Sequence, residues 1–294
     1  MKKIIRVGSR DSKLAVKQTL LALESVKKIH PEIEFELVTM KTTGDKILDR
    51  NLDRMGGKGL FVKELDTALS EGRVDITVHS LKDLPIVTPD ELPLIGYSKR
   101  EDPRDVLLVK KGRETDFFKG CIGTSSRRRM EQLKKLYPDA TFRGIRGNVQ
   151  TRLRKLEEED YSATILAKAG LVRLGMDECI TKTFSIEEVI PAAGQGILAF
   201  QGRKGEDYSY LDCVCDIDSF YAATAERSFV KCLDGGCSSP IAAYALVKGD
   251  TLSLRGLYFH EPAGDFSVGV KEGKVQDAEE IGIELAKELV ARWN

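Results

Sequence analysis

Apolar and polar positions along the chain change period several times, and the changes divide it into elements. Ile4, Ile5 and Val7 make a short apolar run that predicts a strand, after which Asp11 or Ser12 can cap a helix. Ala15, Ala22, Val26 and Ile29 recur at helical spacing until Pro31 stops them. Ile33, Phe35 and Leu37 alternate with Glu34 and Glu36, as in a half-buried strand. From Thr42 to Gly59 the chain is rich in Gly, Asp and Lys, and an aperiodic segment of that length is expected to be a functional flap rather than a connector. A helix from Leu60 to about Ser70, with Gly72 past its end, leads into a buried strand from Val74 to His79. The polar tetrad Ser80-Leu-Lys-Asp83 follows, at the strand end where open α/β sheets place ligands.

The charged, proline-containing Arg100-Glu-Asp-Pro-Arg104 reads as a crossover between domains. Beyond it the rhythm of strand and helix restarts. Cys121-Ile-Gly-Thr124 opens into a helix near Ser125, Ala140 to Arg143 is strand-like, and a helix runs from about Asn148 to Glu159. A buried strand from Ala163 to Leu166 precedes a helix from Ala167 to Leu174. Such alternation predicts a mostly parallel sheet. Ile190-Pro-Ala-Ala-Gly-Gln-Gly196 is a second hinge candidate. The pattern then changes to a helix from Asp218 to Cys232, alternating runs at 243–247, 252–258 and 266–270 separated by turn residues, and a closing helix from Asp277 to about Arg292. These predict a small antiparallel sheet with helices. No internal repeat is visible.

Composition adds limits. A chain of 294 residues can form two or three domains, and 41% hydrophobic with 31% charged residues is ordinary for a globular protein. No apolar run is long enough to cross a membrane, and the first residues enter a strand without a signal-peptide pattern. Six cysteines without that pattern favour a reducing, cytoplasmic setting. Basic and acidic residues balance at 46 each, which argues against a general nucleic-acid or membrane-surface protein. That balance fails near the middle of the chain. Between Arg127 and Arg154 the basic residues Arg127, Arg128, Arg129, Lys134, Lys135, Arg143, Arg146, Arg152 and Arg154 meet only Glu131 and Asp139.

Candidate chemistry falls at three places. Cys237 sits in Leu233-Asp-Gly-Gly-Cys-Ser-Ser-Pro240, where the glycines let another molecule approach; it is either a turn that contains a cysteine or a presented thiol. Cys213, Cys215 and Cys232 lack common zinc spacings and read as small packed hydrophobes, so no metal is expected. Gly123-Thr-Ser-Ser-Arg-Arg-Arg129 and Arg143-Gly-Ile-Arg-Gly-Asn148 join helix-start N–H groups to guanidiniums, a combination suited to carboxylate or phosphate. Asp83 is the candidate acid or base beside Lys82; the pair also reads as an ordinary turn.

Taken in order, Gly8-Ser-Arg10-Asp-Ser12, Gly56-Gly-Lys58-Gly, Val78-His-Ser-Leu-Lys-Asp83, Arg100-Glu-Asp-Pro-Arg-Asp105, Gly123-Thr-Ser-Ser126, Arg146-Gly-Asn148, Ala192-Ala-Gly-Gln-Gly196 and Glu226-Arg227 through Gly235-Gly-Cys237 resemble the porphobilinogen deaminase family over nearly the whole chain. The resemblance implies two type II periplasmic-binding-protein-like α/β lobes around a cleft and a small C-terminal α+β domain. The boundaries expected are 1–98 with about 193–215, then 99–192, then 216–294. It implies a transferase that joins four porphobilinogen molecules on a dipyrromethane cofactor bound to Cys237 by a thioether, with a cytoplasmic monomer expected. Asp83 would be catalytic. Lys82, Ser80, Thr124, Ser126, Arg128, Arg129 and Arg146 would hold the cofactor. Arg10, Ser12, Lys58, Arg146, Arg152, Arg173 and Gln195 would hold substrate, guanidinium forks being well matched to pyrrole carboxylates. Arg127 adds a third arginine where the family often has an apolar residue. The alternative class is a dicarboxylate-binding module without catalysis.

Overall fold

The computed structural model describes residues 3–42, 62–235 and 240–293. Most of the expected flap with Lys58, and Cys237 itself, lie outside the described residues. The chain divides into two compact units, Met1–Arg100 with Ile197–Phe220, and Glu101–Gly196 with Tyr221–Asn294.

The first unit begins with β1 (Lys3–Arg10), α1 (Lys13–Ile29) and β2 (Ile33–Met40), followed by α2 (Lys63–Ser70), β3 (Ile76–Ser80) and β4 (Leu94–Tyr97). Of the two candidate caps, Ser12 takes the role: its hydroxyl oxygen accepts from the Ala15 N–H at 3.3 Å. β1 pairs in parallel with β2 and with β3, and the first four residues of β3 are all buried, the polar Thr77 and His79 included.

In the second unit β5 (Asp105–Val109), β6 (Cys121–Gly123), α3 (Arg127–Leu136), β7 (Thr141–Arg143), α4 (Val149–Glu158), β8 (Ala163–Ala167), α5 (Lys168–Leu174) and β9 (Lys182–Thr183) build a sheet of order β7-β6-β8-β5-β9. β6 is parallel to β7 and β8, whereas β5 runs antiparallel to β8 and β9. The chain then returns to the first unit as β10 (Leu198–Gly202), inserted antiparallel between β3 and β4 to give the order β2-β1-β3-β10-β4. The two sheets therefore have one topology: a parallel trio, an antiparallel strand and an edge strand. This repeat in space has no visible counterpart in the sequence. Each sheet receives its antiparallel strand, β10 or β5, just after the chain passes from one unit to the other.

The remainder comprises α6 (Ile217–Cys232), β11 (Ala242–Lys248), β12 (Thr251–His260), β13 (Asp265–Lys274) and α7 (Ala278–Ala291). The three strands form an antiparallel meander that contains the three alternating runs, as their period of two requires. α7 packs against α6 at Gly282, where a Cβ would overlap the Ala225 carbonyl oxygen and lie 2.8 Å from the Phe229 nitrogen. Ile190 of the hinge segment packs with Ala242, Leu257 and Phe259 of this sheet. No helix among the described residues is long and apolar enough to cross a membrane.

Candidate active site

In the first unit the parallel pairing of β1 with β3 brings Arg10, at the end of β1, to the same carboxyl edge as Ser80 and the helical turn Leu81–Asp83. Leu81 is fully buried and its N–H donates to the Ile197 carbonyl at 3.0 Å, which anchors the turn while Lys82 and Asp83 remain half-buried. The Ser80 hydroxyl donates to Gln18 Oε1 at 3.1 Å, tying the turn to α1. Beneath it, His79 is buried with Nε2 2.8 Å from the Thr77 hydroxyl. Burial pushes the imidazole down to about 4; a hydrogen bond to Gln201 opposes this, and the charge on Arg10 adds to it. This side chain is held neutral directly before the polar tetrad.

In the second unit β6 and β7 lie side by side in parallel, with Gly123 opposite Arg143, so the Thr124–Ser126 turn and the Arg143–Asn148 turn share one edge. Ser126 caps α3 and Asn148 caps α4, the latter accepting from Thr151 N–H at 2.9 Å. Thr124 is buried, and its hydroxyl oxygen accepts from the Ser126 N–H at 3.2 Å. Arg146 precedes Gly147, whose φ of 116° only glycine adopts readily, and Arg152 Nε donates back to the Gly147 carbonyl at 2.8 Å.

The three consecutive arginines part company. Arg127 turns to the β12–β13 connection, where it forms a two-pronged ion pair with Glu261 at 2.7–2.8 Å and lies over the Phe259 ring. Arg128 and Arg129 turn inward, 5% and 6% exposed, onto the fully buried Asp105. Asp105 Oδ2 accepts from Arg128 Nη2 at 2.8 Å, and Oδ1 accepts from Arg129 Nη2 at 2.7 Å and from Gln195 Nε2 at 2.9 Å. Burial would raise the Asp105 carboxyl, but the two guanidiniums and the Gln195 amide hold it well below the usual carboxylate range. Gln195 also donates to the Pro103 carbonyl at 2.6 Å. Arg173 is apart from this group: its Nη2 donates to the Gly196 carbonyl at 2.6 Å, and burial pulls its guanidinium below the usual value against the charge of Glu101.

Thus the structure gathers Arg128, Arg129 and Gln195 at one carboxylate, sets Thr124, Ser126, Arg146 and Arg152 along the adjoining strand ends, and puts Arg173 at the crossover. Arg10, Ser12, Ser80, Lys82 and Asp83 belong to the first unit.

Three further polar residues, Asp105, Gln132 and Glu226, hold this region together, a role that the periodicity of the chain does not mark. Gln132 clasps the Ile190 peptide, donating to its carbonyl at 3.1 Å and accepting its N–H at 2.7 Å. Glu226 is fully buried on α6 and accepts from Gly194 N–H at 2.6 Å and Ala245 N–H at 2.7 Å, joining the hinge to β11. Glutamate in mid-helix carries no signal of burial; only its place in the motif Glu226-Arg227 could have marked it. α6 ends where Gly235 N–H donates to the Val230 carbonyl at 2.9 Å, and the chain there enters the cysteine segment. One expectation needs correction: Cys213 and Cys232 are exposed rather than packed, because each lies at the solvent-facing end of a helical segment, while Cys215 is half-buried. Among the described residues no cluster of three metal-ligating side chains occurs.

The porphobilinogen deaminase dipyromethane cofactor binding domain profile matches residues 5–210, and the profile for the C-terminal domain of that enzyme matches residues 220–291. The chain is 54% identical over 286 residues to the porphobilinogen deaminase of Acetivibrio thermocellus, covering 97% of this chain and 98% of that one. It is 50% identical over 289 residues to that of Ruminiclostridium josui, covering 98% of each.

Proposed function

The chain belongs to the porphobilinogen deaminase family, and from that premise we propose that it is a transferase of tetrapyrrole biosynthesis. It joins four porphobilinogen molecules head to tail, with loss of ammonia at each addition, and hydrolysis of the bond to the primer, water supplying the hydroxyl, releases hydroxymethylbilane. The observation that carries the reading into this chain's chemistry is the buried cluster in which one carboxylate, Asp105, faces two guanidiniums, those of Arg128 and Arg129.

The chemistry of that cluster fits a dipyrromethane, whose pyrroles carry acetate and propionate groups. Two cations against one anion leave a surplus positive charge, and Arg129 Nε is buried with no acceptor among the described residues. A buried cation without full compensation is costly unless an anion joins it, so the donor set suits a carboxylate-bearing group. When bound through Cys237, the cofactor supplies the free pyrrole carbon on which the chain grows. Arg128, Arg129, Arg146, Lys82, Ser80, Thr124 and Ser126 bind and orient its polar groups. Arg10, Ser12, Lys58, Arg146, Arg152, Arg173 and Gln195 bind substrate, the arginines as bidentate donors. Asp83 accepts the pyrrole N–H of the substrate, so that positive charge developing as ammonia departs meets a fixed carboxylate. By analogy with removal of one preorganised donor, that contact is worth about 3–4 kcal/mol.

The same reading takes the chain as three domains, 1–98 with about 193–215, 99–192 and 216–294, and as a cytoplasmic monomer acting on a small molecule without nucleic acid or membrane. A thioether requires a reduced thiol, in keeping with that compartment. The deciding experiment is intact mass. Purified wild-type protein is expected to carry an increment of two pyrrole units that is absent from Cys237→Ser. A fully active wild type with no added mass would refute the mechanism.

A further inference from the structure

Asp105 opens β5 and is separated from Arg128 and Arg129 by 23 and 24 residues. Neighbouring side chains on a helix point roughly 100° apart, so consecutive arginines do not converge by themselves. Here they converge because one carboxylate offers an oxygen to each. The outer arms are fixed as well: Arg128 Nη1 donates to the Ile190 carbonyl at 2.6 Å, and Arg129 Nη1 to the Ile165 carbonyl at 3.2 Å. Gln195 completes the second bond to Oδ1. Two buried guanidiniums without this anion would repel each other and seek solvent. With it they stay together, yet among the described residues two guanidiniums share this one carboxylate, which leaves a surplus positive charge, and the buried N–H without an acceptor falls on Arg129.

We propose that Asp105 is a positioning residue for the reaction: it converts Arg128 and Arg129 into one preorganised receptor of single net positive charge for a carboxylate of the dipyrromethane. The inference rests on the proposed cofactor role of the two arginines and adds what makes them competent. Asp105 need not touch the cofactor. It holds two cations in place while neutralising only one, a balance that neither an apolar residue nor an amide reproduces.

The test compares wild type, Asp105→Asn, Arg128→Gln, Arg129→Gln and the Asp105→Asn/Arg129→Gln double variant. Two readouts are taken: the loaded fraction by intact mass, and kcat and KM per loaded molecule. Asp105→Asn is expected to lower the loaded fraction at least fivefold and to reduce kcat of the loaded remainder about tenfold or more, with KM for porphobilinogen within twofold. In the Arg129→Gln background the same change is expected to add less than twofold. Asp105→Asn that melts earlier but loads and turns over like wild type would overturn the proposal and leave Asp105 a structural residue. If Arg128→Gln and Arg129→Gln themselves load and turn over normally, the cofactor role of the arginines fails first. If they are impaired while Asp105→Asn is not, only the positioning role fails. Should Asp105→Asn not fold, Asp105→Asn/Arg128→Gln restores the single net charge. As in the Arg129→Gln background, loss of Asp105 there is expected to change the loaded fraction less than twofold relative to Arg128→Gln alone, and a further loss of fivefold or more would overturn the proposal.

Discussion

His79 gives the sharpest link between burial and a measurable quantity. It lies on β3, one residue before the Ser80–Asp83 turn, buried and bonded to the Thr77 hydroxyl. Its imidazole is pushed from an ordinary 6.5 down to about 4, chiefly by burial, with Arg10 adding to the effect and Gln201 opposing it. Between these two values the unfolded chain binds a proton that the folded chain refuses. Unfolding therefore takes up a proton, and stability falls as pH falls through the window from about 6.5 to about 4. Full passage through the window is worth about 3 kcal/mol, and between pH 7.5 and 4.5 about 2.5 kcal/mol of it is lost. His79→Gln keeps a donor and an acceptor but does not titrate. Urea unfolding of both proteins at those two pH values isolates the histidine, since the buried carboxylates change stability equally in each. The wild-type-minus-variant difference should shrink by about 2.5 kcal/mol at the lower pH. An unchanged difference, or an imidazole resonance that titrates near 6.5 in the native protein, would refute the reasoning.

Other outcomes follow from the same geometry. Asp83→Asn should keep the two-pyrrole mass increment while kcat falls roughly 10²–10³-fold; a wild-type rate would remove Asp83 from the chemistry. Arg127→Ala should leave kcat within twofold and cost under about 1 kcal/mol in a melting experiment, because its pair with Glu261 is part-exposed at the β12–β13 connection. A tenfold loss of activity there would mean that Arg127 rather than its neighbours meets the ligand. Gly282→Ala, ordinarily helix-stabilising, should instead destabilise by about 1–3 kcal/mol because its methyl collides with the α6 backbone; a raised melting temperature would contradict that packing.

Much of this protein was legible without coordinates. Periodicity located α1, α3, α4, the buried run ending at His79 and the antiparallel meander near the C-terminus, because those patterns arise within ten or so consecutive residues. Ser12 and Asn148 announced helix starts for an equally local reason: a side-chain oxygen meets an N–H three residues on. The ordered motifs were enough to indicate the family, and with it the cofactor and the reaction.

Tertiary structure decided what no window of sequence contains. β10 joins the first sheet from about 100 residues beyond β4, and its short apolar run shows neither partner nor direction. Arg127, Arg128 and Arg129 are identical in type and adjacent, yet one pairs with Glu261 and two with Asp105. A carboxylate read from sequence is equally at home in water, so neither the burial of Asp105 nor that of Glu226 could be foreseen. Their partners lie between 19 and 90 residues away, and only packing the strands and helices together excludes the water that makes those pairings obligatory.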